Sequence, residues 1–130
     1  MVKQGDVVLI ELGNVKGSEY GKNRPALIIQ EDVYNDYFNT SIVALITGKV
    51  IPEYTTNVFL SKTESGLSRD STILTNQLRS VDKSRIKKIV NTISFSTLDK
   101  VKFSLKRVFG IWICLYSLGN QLIWRLLIFS

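Results

Sequence analysis

Two segments in this chain of 130 residues carry side chains that could take part in chemistry. A Gly-rich loop at residues 17–24 brings Ser18 and Glu19 close to a flexible backbone and ends at Arg24. Thr47 places a hydroxyl at the end of an apolar run, directly before a glycine. An ordinary hairpin loop and a threonine that simply favours a strand are the structural alternatives for these positions.

Further along, Gln77 and Arg79 stand two residues apart on an alternating segment, so they should face the same side of a strand. An exposed sheet face is the structural alternative for this pair. A basic cluster follows, which is either a solvated surface or a patch that contacts phosphates. Its members are Lys83, Arg85, Lys87 and Lys88.

The composition excludes several mechanisms, because the chain has no histidine and a single cysteine, Cys114. A zinc site built from nitrogen and sulfur ligands, a Ser/His/Asp triad, a Cys/His pair and a nuclease with two histidines are all excluded. Any catalysis must therefore use Arg, Lys, Glu, Asp, Tyr, Ser or Thr. One cysteine forms no internal disulfide, which favours a reducing, cytoplasmic location.

The charge is +6, from 17 basic and 11 acidic residues, and favours a polyanionic partner such as nucleic acid or an acidic peptide. Its distribution weakens that inference. Residues 1–100 contain 13 of the basic residues and all 11 acidic ones, whereas residues 101–130 contain four basic residues and no acidic one.

The elements that must position these side chains are mainly strands. Apolar, β-branched runs bounded by turn residues predict strands at 7–12, 26–30, 41–47, 57–60 and 71–81. Five or six short strands favour a small barrel. A capping-box pattern at Ser96–Asp99 and apolar residues at helical spacing predict one helix, from about Thr97 to Phe109. We expect one domain over residues 1–110, with residues 111–130 as an apolar C-terminal extension of it.

Several of these segments, taken together, resemble the MazF/PemK toxins, the ribonuclease components of bacterial toxin–antitoxin modules. The likeness begins with Gly5-Asp6-Val7 and the block from Gly17 to Gln30, and it extends over about residues 4–106. Later pieces occur in the family's order: Asn35, Val43–Thr47, Gly66–Ser71 and Gln77–Ile86. The resemblance implies a small SH3-like or PemK-type β-barrel with a C-terminal helix, usually as a homodimer.

The resemblance also implies an activity: sequence-specific, metal-independent cleavage of single-stranded RNA without a cofactor. In such enzymes the ribose 2′-OH attacks its own 3′-phosphate and leaves a 2′,3′-cyclic phosphate and a 5′-OH. The family's catalytic arginine and threonine correspond to Arg24 and Thr47. Its substrate-binding residues correspond to Ser18, Glu19, Tyr20, Gln77 and Arg79.

The implied partners are single-stranded RNA and a cognate antitoxin with an acidic C-terminal segment. A second hypothesis is a non-catalytic toxin of the same fold, which binds DNA gyrase or another protein instead of cutting RNA. The presence of both Arg24 and Thr47 in their motifs argues against it.

The tail is where the resemblance ends. The longest uninterrupted apolar run, Val108–Leu118, is too short for a bilayer, which needs ~20 residues. Three interpretations stay open for residues 111–130: packing in the core or a dimer, a divergent or frameshifted end, and membrane association, of which the last is the least favoured.

Overall fold

The computed structural model describes residues 1–12, 23–52 and 56–111, together with the backbone of residues 115–118 and 121–124. Within these ranges the protein is mainly β, with one long helix near the end of the family-like region, as the sequence predicted. The strands are β1 (Asp6–Glu11), β2 (Asn23–Ile28), β3 (Thr40–Thr47), β4 (Asn57–Leu60), β5 (Ser71–Asp82), β6 (Ile86–Thr92), β7 (Leu115–Leu118) and β8 (Gln121–Trp124). The helices are α1 (Asp32–Tyr37), α2 (Lys62–Ser65) and α3 (Phe95–Val108), and a 3₁₀ turn, Lys83–Arg85, joins β5 to β6.

Six of the strands form one antiparallel sheet in the order β4-β5-β3-β2-β1-β6. All five predicted strands are present with small shifts at their ends. The sheet is not closed into a barrel, because β4 and β6 remain its two edges among the described residues. Strands β3, β2 and β1 are adjacent in the sheet, so residues of these three strands lie close together although loops separate them in the sequence.

Both faces of the sheet bury apolar side chains. One face packs against α3, whose Leu98 and Val101 join Leu27 and Ala44 in a single core. The other face holds a smaller core that includes Ile10, Ala26, Ile28 and Val43. The central strands are thus buried on both sides, as their nearly continuous runs of apolar residues require.

Helix α3 begins earlier than the sequence pattern predicted. Its N-cap is Ser94, whose hydroxyl accepts a hydrogen bond from Thr97 N at 3.2 Å, so the capping box predicted at Ser96 is wrong by two residues. The carboxylate that completes the cap is Glu64 of α2, which accepts from Ser94 N at 2.8 Å, from Ser94 Oγ at 2.8 Å and from Thr97 Oγ1 at 2.9 Å. The cap of α3 is therefore a tertiary contact between two helices.

Asn35, which the family resemblance singled out, is fully buried and structural. Its Oδ1 accepts from Ser41 Oγ at 2.6 Å, its Nδ2 donates to Gln30 O at 2.8 Å, and its own carbonyl accepts a hydrogen bond from the Lys83 side chain. These bonds tie α1 to the end of β2, the start of β3 and the 3₁₀ turn.

In the tail, β7 and β8 pair as an antiparallel hairpin with Leu118 opposite Gln121. No helix within the described residues is long and apolar enough to cross a membrane. The three interpretations of residues 111–130 stay open, because most of these residues lie outside the described ranges.

Candidate active site

The structure places the two predicted catalytic residues at the same end of adjacent strands, with Arg24 near the start of β2 and Thr47 at the end of β3. Strands β2 and β3 pair with Ala26 opposite Leu45 and Ile28 opposite Val43. The pairing ends at Ala26 and Leu45, and Arg24 and Thr47 lie two residues beyond this pair, each on its own strand. One guanidinium and one hydroxyl therefore lie at the same end of two adjacent strands.

Arg24 and Thr47 also share a face of the sheet, because side chains alternate along a strand. Arg24 is two residues from Ala26, and Thr47 is two residues from Leu45, the residue opposite Ala26. Arg24 is exposed and Thr47 is half-buried, directly beyond the smaller core. The packed core holds both backbones in place, while the functional groups remain accessible to a ligand.

Local sequence explains why the strands end here. Pro25, next to Arg24, has no amide hydrogen and pairs with Leu9 on β1, and the pairing of β2 with β3 begins one residue later. After Thr47 the chain turns at Gly48. A Cβ added at Gly48 would lie 3.3 Å from Arg69 Cδ, so the absence of a side chain leaves room for the arginine stem.

Arg69 is a site neighbour that the sequence did not single out. It is exposed, and its side chain crosses Gly48, one residue from Thr47. The segment Gly66–Ser71 is part of the family resemblance, but its spacing from Thr47 in the sequence carries no sign of this contact. Only the pairing of β3 with β5, with Thr47 opposite Thr72, brings the two segments together.

Gln77 and Arg79 both lie exposed on β5, the strand next to β3. The register of β3 with β5 shifts between two neighbouring residues of β3: Leu45 faces Leu74, whereas Ala44 faces Leu78. Residues 75–77 are therefore extra residues on β5, and Gln77 belongs to this bulge.

The bulge is anchored by Thr75, whose Oγ1 donates to Thr56 O at 2.8 Å and lies 2.6 Å from Ser104 Oγ of α3. Beyond the bulge, Arg79 faces Val43, which shares its face with Leu45 and Thr47. The pairing therefore puts Arg79 on the same face of the sheet as Arg24. Ser18, Glu19 and Tyr20, the remaining predicted substrate-binding residues, lie outside the described residues.

Two carboxyl groups have a shifted pKa, and both are structural caps. Burial raises the pKa of Glu64, but the hydrogen bonds from Ser94 and Thr97 and the charge of Lys100 outweigh it, so the net pKa lies below its usual range. The backbone N–H of Ser84 is the main cause of the lowered pKa of Asp82, which caps the 3₁₀ turn. Both groups stay ionised near neutral pH.

The described residues contain no group of three or more His, Cys, Asp or Glu side chains that could hold a metal ion. The described part of the candidate site contains arginine side chains, which are positively charged hydrogen-bond donors. An arginine fork suits the non-bridging oxygens of a phosphate, and a neighbouring hydroxyl both donates and accepts. The arrangement is thus fitted to position a phosphate ester and to stabilise negative charge that develops on it.

Comparison with known proteins shows which family the chain resembles. A family model described as PemK-like, MazF-like toxin of type II toxin–antitoxin system matches residues 3–109. The chain belongs to this toxin family. A curated relative, Endoribonuclease MazF of Staphylococcus saprophyticus, is 39% identical over 115 residues, which cover 85% of this chain and 93% of the relative. The family predicted from the sequence motifs is confirmed.

Solved structures agree on the fold. An endoribonuclease in complex with its cognate antitoxin from a mycobacterial species superposes with a TM-score of 0.73 at 15% identity, covering 86% of this chain and 98% of that one. A MazE–MazF complex from Deinococcus radiodurans (Form-III) gives a TM-score of 0.71 at 23% identity, with coverage of 85% and 98%. At these identities the likeness establishes the toxin fold, while the family assignment depends on the sequence matches.

Proposed function

We propose that this protein is the toxin of a type II toxin–antitoxin system and cleaves single-stranded RNA, including mRNA, sequence-specifically and without a metal ion. The observation that carries the proposal is that Arg24 and Thr47 lie at the same end of two adjacent strands, on one face of the sheet, in a chain without histidine. Support comes from the relative at 39% identity that is named an endoribonuclease.

The chemistry that suits this pair uses a nucleophile supplied by the substrate. The ribose 2′-OH loses its proton and attacks the adjacent 3′-phosphorus. The new P–O2′ bond forms as the P–O5′ bond breaks, and the 5′ oxygen takes up a proton. The products are a 2′,3′-cyclic phosphate and a 5′-OH. The protein has only to hold the phosphate in line and stabilise the charge on its oxygens.

Arg24 is suited to the electrostatic part of this work. Its planar fork donates to the two non-bridging oxygens as they gain charge in the transition state. A role as general base is unfavourable, because the pKa of arginine lies above ~12. Thr47, at the end of the adjacent strand, hydrogen-bonds the same phosphate or orients the 2′-OH.

Recognition of the RNA sequence falls to polar side chains around the pair. Gln77 and Arg79 on β5 are exposed and suited to hydrogen bonds with base edges, which single-stranded RNA presents freely. Ser18, Glu19 and Tyr20 complete the proposed substrate-binding set, with Tyr20 stacking on a base. The specificity then depends on these few side chains rather than on the sheet.

The proposed partners follow the same family. The structure of the mycobacterial protein contains its cognate antitoxin, and the Deinococcus radiodurans structure is of MazE–MazF. We expect this toxin to act in the cytoplasm as a homodimer, inhibited by an antitoxin whose acidic, disordered segment occupies the basic RNA site.

The test is to incubate purified protein with single-stranded RNA in EDTA and to map the new 5′-OH ends. Cleavage at a recurring short motif is expected, and Arg24→Ala should lower the rate by about 100- to 1,000-fold, the usual loss for one preorganised donor. Arg107→Ala, which removes another exposed arginine on α3, is the matched control and should leave the rate unchanged. Uncut RNA, together with capture of DNA gyrase by the protein, would favour the non-catalytic hypothesis instead.

A further inference from the structure

A second cluster of cations lies close to Arg24, on the other side of β1. Strand β1 runs between β2 and β6, and its Ile10 faces Arg24 on one side and Ile86 on the other. Neighbouring strands are about 4.8 Å apart, so the backbones of Arg24 and Ile86 are ~10 Å apart. The basic cluster from the sequence surrounds Ile86.

Arg85 directs its charge towards the end of β1. Its Nη1 donates to Glu11 O at 3.3 Å, one residue beyond Ile10. The side chain is exposed, and the carbonyl bond uses one of the five N–H donors of a guanidinium. Arg85 is therefore held beside the strand that carries the partner of Arg24, with donors left for an anion.

A β-bulge places Lys87 in the same region. Leu9 faces Lys88 and Ile10 faces Ile86, so Lys87 is an extra residue with no partner on β1. Lys87 is exposed, and its Nζ donates to Ser84 O at 3.1 Å, back towards the 3₁₀ turn. Bulges of this kind redirect a side chain and are frequent beside functional sites.

Lys87 lines a surface cleft of about 390 Å³, and Arg85 directly precedes the lining residue Ile86. None of the described residues that line the cleft is acidic. Its lining residues are Met1, Val2, Lys83, Ile86, Lys87, Lys88 and Ile89. The nearest acid along the chain, Asp82, accepts a hydrogen bond from Ser84 N at 2.9 Å, and its charge interacts with Arg85. The side chain of Lys83 donates to Asn35 O, whereas Lys87 and Lys88 are exposed. Exposed ammonium groups beside an apolar floor, with no carboxylate among the described lining residues, suit an anion.

We propose that this cleft, with Arg85 at its border, binds the phosphates of the RNA strand that flank the phosphate held by Arg24. The proposal rests on the proposed function, since it takes the strand at Arg24 as RNA. A charged groove that follows the backbone is the usual way for proteins to hold a single strand. The cleft then adds affinity without reading sequence, because phosphate contacts position a strand and base contacts specify it.

The test is the salt dependence of binding. The probe is a fluorescein-labelled RNA of about ten random nucleotides with 2′-O-methyl riboses, which lack the attacking hydroxyl, and anisotropy is followed between about 50 and 300 mM NaCl. Lys87→Ala should reduce the slope of log K against log salt by about 0.7 and weaken binding about fivefold at ~0.1 M salt, as expected for one lost phosphate contact. Arg85→Ala should have a similar effect.

Lys100→Ala is the matched control, since Lys100 is equally exposed but belongs to α3, which covers the other face of the sheet. It should leave slope and affinity unchanged. The proposal is overturned if Lys87→Ala and Arg85→Ala keep the wild-type slope, or if Lys100→Ala loses as much. Cleavage of unmodified RNA by the wild-type protein is measured separately: its absence refutes the proposed function, whereas a normal rate with unchanged slopes refutes the cleft alone.

Discussion

Removing Arg24 and Thr47 together should slow cleavage far less than the product of the two single losses. Arg24 and Thr47 lie at the same end of the adjacent strands β2 and β3, each two residues beyond the pair Ala26 and Leu45. Mutational effects add only for sites separated by more than ~7–10 Å without a shared partner. Here the shared partner is the scissile phosphate, so each residue depends on the other to position it.

The magnitudes can be worked from the two contacts. Arg24→Ala should cost about 100- to 1,000-fold in rate. Thr47→Val keeps the shape and removes one hydrogen bond to a charged group, worth about 1.5–3 kcal/mol, or roughly 10- to 100-fold. Independent effects would multiply to about 10³- to 10⁵-fold. We expect the double variant to stay within about tenfold of Arg24→Ala, a coupling of about 1–2 kcal/mol.

The assay is a single-turnover rate on an RNA that contains the motif found by 5′-OH mapping. Urea unfolding of each variant provides the control for folding. Arg24 is exposed, so its loss should change the free energy of unfolding by less than ~0.5 kcal/mol. If the two losses multiply in full, the residues do not act on one phosphate and their proposed joint role is refuted.

Two further predictions concern stability. Gly66→Ala should lower the free energy of unfolding by about 2–3 kcal/mol, because Gly66 has φ +75° and a Cβ there would lie 2.9 Å from Val90 Cγ1. The control Gly110→Ala, at φ +67° with open space around it, should cost only about 1 kcal/mol. Equal losses for the two variants in urea unfolding would contradict the contact at Gly66. Glu64→Gln should cost about 1–2 kcal/mol at pH 7 by weakening the cap of α3. Because folding lowers the pKa of Glu64, its contribution is present above the unfolded pKa of about 4.3 and is lost as the pH falls through the lower folded pKa. Unfolding curves at pH 7 and in acid should therefore differ between wild type and variant only at pH 7, and a difference that persists in acid would exclude the carboxylate as the cause.

The strands that the sequence predicted are those whose apolar runs reach the core. Strand β6 was not located, because most of its residues are exposed and the bulge at Lys87 breaks the alternation that identifies a strand. Helices α1 and α2 span six and four residues, too few for a helical period to appear. The start of α3 was misplaced because the carboxylate of its cap, Glu64, lies 30 residues before Ser94.

The candidate site residues were predicted from sequence motifs, but no motif predicted how they are arranged. Arg24 and Thr47 belong to separate segments, and only the pairing of β2 with β3 shows that they lie at the same end of adjacent strands. Arg69 lacked any sequence signal, since its contact with Gly48 depends on the pairing of β3 with β5. Local patterns identify residue types at strand ends, whereas strand pairing determines which of them meet.

The near balance of charge in residues 1–100 does not argue against a polyanionic substrate, because a bound strand responds to the charges nearest to it. Several acids accept hydrogen bonds from backbone N–H groups at turns and helix starts, where they stabilise the fold. The cations of the proposed RNA site, Arg24, Arg79, Arg85 and Lys87, are exposed. Charges interact in solution over about 10 Å at 0.1 M salt, so a strand responds to these local cations and not to the net charge of the chain. The acids so engaged are Asp6 with Lys3 N, Asp32 with Gln4 N, Asp70 with Lys62 N, Asp82 with Ser84 N and Glu64 with Ser94 N.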